Sequence, residues 1–337
     1  MEKFLIINPF GIGDCLFTTP VIRALKESRP GCFIGYWCNE RVAGLLNGQP
    51  GIDRVFALSR GDIKRIYRGF RRIAVLGALI KEIRRERFDT AIDFSLDGRY
   101  GLWSRLAGIK RRIGFDYKGR GRFLTHRVPL TGYSGTHAIE HYAGLLKFIG
   151  IDPQDRRLRL EINKESAVPA GAIGIAMGGG ASWGRDAVYK QWPAGKFREL
   201  VGVLVKNDGT KVVLLGSLDE KALAGVIAQE GVTDLTGKLG LPELAAAIKR
   251  LKLLICNDGG PMHMAVALGV STVSVFGPVD EKEYGPYPPD KRHIVVGKDL
   301  SCRPCYKNFR FPGCSNERRC LEDITVDEVY RKVKELL

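Results

Sequence analysis

The sequence predicts an α/β protein with two doubly wound parallel sheets, one in each half of the chain. Three observations carry this. Short apolar runs alternate with segments of helical period from residue 4 onward, the alternation fails near residue 152 and resumes near 172, and several runs end in glycine-rich turns that lead into a helix. Strands separated by helices need crossover connections, which makes them parallel, and strands covered on both faces read as continuous apolar runs. At 337 residues the chain is long for one core and sufficient for two.

The first half opens with a strand at 4–8, which stops at Asn8-Pro9-Phe10-Gly11-Ile12-Gly13-Asp14. Phe17, Val21, Ile22 and Leu25 then recur at helical spacing as far as Pro30. Strands follow at 32–36 and 52–56, a basic helix at 62–87, a buried strand at 90–94, a helix at 101–106, a short strand at 112–115 and an amphipathic helix at 137–149. Between 152 and 168 the apolar period is lost while Pro153, Asp155, Arg156, Arg157, Lys164 and Glu165 gather, which is the composition of a linker. The second half repeats the alternation, with strands at 172–176, 211–215, 234–235, 253–256 and 271–276. Its helices fall at 194–206, 219–229, 242–250, 261–268 and 326–337. The expected organisation is two Rossmann-like domains, 1–160 and 161–337, facing each other across a cleft.

The formal charge is +16, which implies anionic company such as nucleic acid, an anionic membrane surface or a phosphorylated substrate. From Arg54 to Arg122 there are 19 Lys and Arg against 7 Asp and Glu. A solvated face would account for such a run, but its concentration in one half favours attraction to an anionic surface. Nucleic acid is disfavoured, because no recognition-helix or zinc-finger spacing occurs and the basic residues are not interleaved with aromatics. Apolar stretches are broken by charge well short of the roughly 18–20 residues of a membrane span, and Met1-Glu2-Lys3 is followed by no long apolar signal region. The expected location is the cytoplasm.

Ligands of doubly wound sheets bind beyond the carboxyl ends of the strands, and four segments there can carry chemistry. In the turn after the first strand, Gly11 and Gly13 let the backbone approach a ligand, and Asp14 is either a helix cap or a general base. Leu16 stands where a dinucleotide fingerprint needs its third glycine, which argues against an oxidoreductase. Asn257-Asp258-Gly259-Gly260-Pro261-Met262-His263 joins a strand to a helix whose free amides suit phosphate, with Asp258 suited to sugar hydroxyls. Gly178-Gly179-Gly180-Ala181-Ser182 with Lys190 behind it could surround a diphosphate, or be a flexible loop beside a surface lysine. Asp219 and Glu220 follow a strand-end glycine and could hold a ribose, or be acids of a helix first turn.

Together these segments resemble the ADP-heptose:lipopolysaccharide heptosyltransferase family, glycosyltransferase family 9, whose fold is GT-B. The resemblance runs through Gly11-x-Gly13-Asp14 with Thr18-Thr19-Pro20-Val21-Ile22-Arg23-Ala24-Leu25, and through Phe88-Asp89-Thr90-Ala91-Ile92-Asp93. It continues in Lys110-Arg111-Arg112-Ile113-Gly114-Phe115, Lys190-x-Trp192-Pro193, Asn257 to Ala265, and Phe276-Gly277-Pro278. It implies an inverting transfer of heptose from ADP-heptose to the inner core of lipopolysaccharide, with no metal or other cofactor needed for catalysis. Asp14 matches the proposed base, Lys190 the lysine that neutralises the donor phosphates, and Glu220 the acid on the donor ribose. Asp258, with Gly259, Gly260 and His263, matches the contacts to the transferred sugar. Ser182 stands near the phosphates where relatives favour threonine. The first domain would take the anionic acceptor, with Gly11, Gly13, Arg65, Arg68 and Arg120 on its side, peripherally at the inner face of the inner membrane. Rivals are another donor or acceptor on the same fold and a non-catalytic polyanion-binding protein.

Cys302-x-x-Cys305, Cys314 and Cys320 form a separate cluster. Four thiolates at this spacing are compatible with structural zinc or, less so, iron–sulfur, and equally with a compact loop of reduced thiols.

Overall fold

The computed structural model describes residues 1–59 and 70–337, with backbone alone at 70–72, 207 and 208. The chain divides into two compact units, Met1–Tyr133 with Ala138–Arg156, and Ser134–His137 with Arg157–Leu337.

The first unit carries β1 (Lys3–Asn8), β2 (Phe33–Asn39), β3 (Arg54–Leu58), β4 (Thr90–Asp93), β5 (Arg111–Asp116) and β6 (His126–Pro129), all parallel, in the order β3-β2-β1-β4-β5-β6. Around them run α1 (Ile12–Leu16), α2 (Thr19–Ser28), α3 (Glu40–Leu46), α4 (Phe70–Glu86), α5 (Gly98–Leu106) and α6 (Ala138–Gly144). Leu5, Ile6 and Ile7 of the central β1 are wholly buried, as a strand covered on both faces demands. Each such side chain contributes about 1.5–3 kcal/mol on burial. On one face the Trp37 ring lies 5.0 Å from Tyr100 and 5.7 Å from Trp103, closing the core with three aromatics. Two of the helices, α3 and α5, start where side chains accept the orphan amides: Asn39 Oδ1 from Arg41 N at 3.0 Å, and Asp97 Oδ1 from Arg99 N at 3.1 Å.

The second unit repeats the plan with β7 (Ile173–Ala176), β8 (Val212–Leu215), β9 (Val232–Asp234), β10 (Leu253–Asn257), β11 (Ser271–Val275) and β12 (His293–Val296), in the order β12-β11-β10-β7-β8-β9. Read from the β9 edge, this is the strand order of the first sheet. Its helices are α7 (Ala194–Asp208), α8 (Lys221–Ile227), α9 (Leu241–Lys249), α10 (Gly260–Leu268), α11 (Glu281–Tyr284), α12 (Arg319–Glu322) and α13 (Val326–Lys334). Ile173, Ile175, Leu253 and Ile255 join Phe197, Leu200 and Leu204 of α7 and Val329 and Val333 of α13 in one buried cluster. α7 stops at Gly209, whose left-handed φ of 57° suits glycine. α13 opens on a capping box, Thr325 N donating to Glu328 Oε2 at 2.7 Å and Glu328 N to Thr325 Oγ1 at 3.2 Å.

Three local features differ from the sequence reading. β6 and β12 are edge strands with half-exposed residues, so they lack the apolar run that marks the inner strands. Residues 181–190, read as a loop, form 3₁₀ turns, with a break at Gly184. In the stretch read as linker, Leu158, Leu160 and Ile162 are buried at alternate positions. Lys249 Nζ and Arg250 Nε fasten this stretch to the second unit through the carbonyls of Ile162 and Val168, at 3.1 and 2.7 Å. No helix among the described residues is long and apolar enough to cross a membrane.

Candidate functional site

In the second sheet the strand order reverses between β7 and β10, so the loops leaving their carboxyl ends part to opposite faces and open a crevice. Asn257, at the end of β10, builds that mouth. Its Nδ2 donates to the carbonyls of Met177 at 2.7 Å and Gly178 at 3.3 Å, and its Oδ1 accepts from Trp192 N at 3.0 Å. One buried amide therefore holds both ends of the β7–α7 connection. Its sequence signal was the motif it opens, yet nothing in the motif assigns it this task.

Lys190 and Asp258 meet at this mouth. Their side chains are 8% and 6% exposed, and Nζ lies 2.7 Å from Oδ2. Nζ also stands 4.9 Å from the centroid of the Trp183 ring. Lys190 is thus no surface lysine. Its charge has left water, which is tolerable only beside a carboxylate and a π face. His263, in the first turns of α10, is buried, and its pKa is pushed down to about 3, first by burial and then by His137 and Lys190 nearby. The imidazole is neutral at physiological pH. Gly259 is extended, with φ 171° and ψ −176°, and Gly260 and Pro261 start α10, so its first amides stand free of intrahelical partners beside Asp258.

Glu220 lies at the mouth of the neighbouring β8. Its Oε2 accepts from Ser217 N at 2.6 Å and Ser217 Oγ at 3.1 Å, closing a capping box on the 3₁₀ turn Leu218–Glu220. The carboxylate lies so close against Gly178 that a Cβ there would collide with Oε1. Gly179 is obligatory for a firmer reason, because a Cβ would strike the Ala187 backbone carbonyl. Of the two readings of Glu220, the structure shows the acid of a helix first turn. Ser182 is exposed on the 3₁₀ stretch.

In the first unit the equivalent mouth lies between β1 and β4. Asn8 ends β1 as Asn257 ends β10, with Nδ2 donating to Asp14 O at 2.9 Å and Oδ1 accepting from Phe10 N at 3.2 Å. Gly11 is the cap residue of α1 and Gly13 its second residue. Asp14 is the third residue of α1 rather than its cap, with a partly exposed side chain at the positive end of the helix. Asp93 ends β4, in register with Ile7 of β1. Its Oδ1 accepts from Ser95 N at 2.8 Å, and burial raises its pKa to about 7. Arg120 is exposed on a 3₁₀ turn, its guanidinium 5.6 Å from the Tyr117 ring, and shares a small depression with Asp93 and Asp97. Asp93 was not singled out for a chemical role; the signal was a carboxylate closing a buried strand. Arg65 and Arg68 lie outside the described residues.

Cys302, Cys305, Cys314 and Cys320, whose spacing left both a metal site and a loop of reduced thiols open, do not form a ligand set. Among the described residues, no three His, Cys, Asp or Glu side chains stand together as metal ligands. The thiol of Cys305 turns back to donate to Cys302 O at 2.9 Å, Cys314 Sγ accepts from Arg318 N at 3.3 Å, and Asn316 Nδ2 donates to Cys302 Sγ at 3.6 Å. Cys320 is drawn into the core of the second unit.

A buried ammonium with helix-end amides beside it can offset negative charge appearing on a leaving diphosphate. The comparisons with known proteins agree with that chemistry. Residues 76–312 match the family model described as glycosyltransferase family 9 (heptosyltransferase). The chain is 28% identical over 298 residues to a lipopolysaccharide heptosyltransferase 3 of Escherichia coli, covering 82% of this chain and 83% of that one. Its fold is similar to that of the E. coli ADP-heptose lps heptosyltransferase II, with a TM-score of 0.80 at 21% identity over 99% of this chain and 98% of that one. It is also similar to E. coli heptosyltransferase WaaC with ADP-2-deoxy-2-fluoro heptose, with a TM-score of 0.78 at 19% identity and full coverage of both. Two parallel six-stranded sheets and these matches give the GT-B fold class. The chain belongs to glycosyltransferase family 9, the heptosyltransferases.

Proposed function

We propose that this protein transfers heptose, with inversion, from ADP-heptose to the inner core of lipopolysaccharide. The observation that carries the reading is the Lys190–Asp258 pair, withdrawn from water at the switch point of the second sheet. The second unit takes the donor. Lys190 and the first amides of α10 receive the diphosphate, Glu220 serves the ribose, and Asp258, Gly259, Gly260 and His263 serve the transferred sugar. Ser182 supplies a hydroxyl near the phosphates.

The first unit takes the acceptor at Gly11 and Gly13, with Arg65, Arg68 and Arg120 drawing its phosphates. Asp14 removes the proton from the acceptor hydroxyl as that oxygen attacks the anomeric carbon. The bond from that carbon to the β-phosphate oxygen breaks, and ADP leaves with the added negative charge. Lys190 and the amides offset this charge in the transition state, so the step calls on no metal ion. The surplus of Lys and Arg between Arg54 and Arg122 suits peripheral work at the anionic inner face of the inner membrane.

The test is ADP release from ADP-heptose in the presence of an inner-core acceptor truncated before heptose, with UDP-sugars as controls. Asp14→Ala should lower turnover by about 10²–10⁴ while ADP binding is retained. Full turnover by that variant removes Asp14 from the mechanism, and transfer from UDP-sugars alone replaces the donor.

A further inference from the structure

The segment that carries Lys190 has little stability of its own. Residues Ala181–Lys190 are 3₁₀ turns interrupted at Gly184, where φ is 55° and ψ is −125°, and 3₁₀ hydrogen bonding rarely sustains more than about 3–4 residues unaided. The support comes from the cysteine-rich arm, residues 302–320. Trp183 rests on two rings from that arm, 5.1 Å from Tyr306 and 5.2 Å from Phe311. Phe311 also lies 5.1 Å from Tyr189, the residue before Lys190. Arg318 donates from Nη1 to the Val188 carbonyl at 2.7 Å. The root of the arm is pinned as well, since the amides of Cys305 and Tyr306 both donate to the Pro278 carbonyl at 2.9 Å. The same indole meets the ammonium, with Lys190 Nζ 4.9 Å from the Trp183 centroid and 2.7 Å from Asp258.

We propose that Trp183 is a positioning residue for Lys190, seated by Tyr306, Phe311 and Arg318 of the cysteine-rich arm, so that the arm sets the affinity for the donor's diphosphate. The inference rests on the reading of Lys190 as a diphosphate ligand. A lysine carries many rotamers, and an ammonium that must exchange one anionic partner for another needs a third contact that stays constant. An aromatic face supplies this without competing for the phosphate.

The test is calorimetric binding of ADP to the full chain, for wild type, Lys190→Ala, Trp183→Leu, Trp183→Phe, Arg318→Ala and the double variant Lys190→Ala with Trp183→Leu. Trp183→Leu should raise the Kd for ADP about tenfold, the loss of a partly desolvated cation–π contact. Trp183→Phe should restore most of it. The double variant should bind no worse than Lys190→Ala, because the ring acts only through the lysine. Arg318→Ala, which removes the bond to Val188 from outside, should weaken binding in the same direction and carries the test if Trp183→Leu does not fold. Wild-type affinity in both Trp183→Leu and Arg318→Ala, or additive losses in the double variant, would overturn the inference while leaving Lys190 in place. Wild-type affinity in Lys190→Ala would instead overturn the underlying reading of the lysine.

Discussion

The Asp258 carboxylate lies 2.7 Å from the Lys190 ammonium, and neither side chain is more than 8% exposed. Removing one partner leaves the other charge buried, so Asp258→Ala should destabilise the second unit by about 3–5 kcal/mol. The same variant releases the lysine from its carboxylate partner and leaves it for ADP. ADP should therefore bind it at least as tightly as wild type and should raise its Tm by more. Urea unfolding and thermal shifts with and without ADP read both effects; weaker ADP binding with an intact fold would show that the carboxylate is not the group the diphosphate displaces.

His263 makes the second unit sensitive to acid. Its folded pKa is about 3 against an ordinary value near 6.5. Below about pH 6.5 the unfolded chain binds a proton that the folded chain refuses, and stability falls by up to about 1.4 kcal/mol per pH unit. His263→Gln should remove that slope. The check is the difference in unfolding free energy between variant and wild type from pH 7 to pH 5; a difference independent of pH would mean that the imidazole is not held neutral.

Asp93 acts in the opposite sense in the first unit. Burial raises its pKa to about 7, far above an ordinary aspartate. Its protonated form is accommodated at low pH, and the cost of burying the charge grows as pH rises toward 7. Asp93→Asn should gain on wild type in urea unfolding between pH 4.5 and pH 8, by about 1.4 kcal/mol per pH unit below 7. A constant difference would place the carboxyl in water.

The thiols should divide sharply. Cys302 is exposed and Cys305 and Cys314 are half-buried, whereas Cys15, Cys32, Cys38 and Cys256 are buried out of a reagent's reach; burial raises the thiols of these four and of Cys305 alike, so access decides the division. Peptide mapping after maleimide treatment of the folded chain should find label at 302, 305 and 314 and none at 15, 32, 38 and 256. Protection at 302–320 that a chelator releases would mean that these sulfurs do hold a metal.

The inner strands were legible because burial on both faces writes an uninterrupted apolar run, as in β1 and β10. β6 and β12 were not, because an edge strand shares one side with solvent and its residues alternate only weakly. Asp258 could be read as functional from a strand end with glycines after it. The burial of Lys190 could not, because it depends on Trp183, and Trp183 depends on rings about 120 positions along the chain. The cysteine spacing was compatible with a ligand set and with a loop of reduced thiols, and spacing alone does not fix where a side chain turns: the Cys305 thiol donates to the Cys302 carbonyl.

The two sheets share one strand order, and each encloses a hydrophobic cluster of its own. Such halves are interchangeable parts in principle. A chimaera that keeps residues 134–137 and 157–337 and takes the remainder from a relative retains the whole second unit with its own buried cluster, so on the proposed donor reading its nucleotide preference should travel with that unit while its choice of acceptor changes.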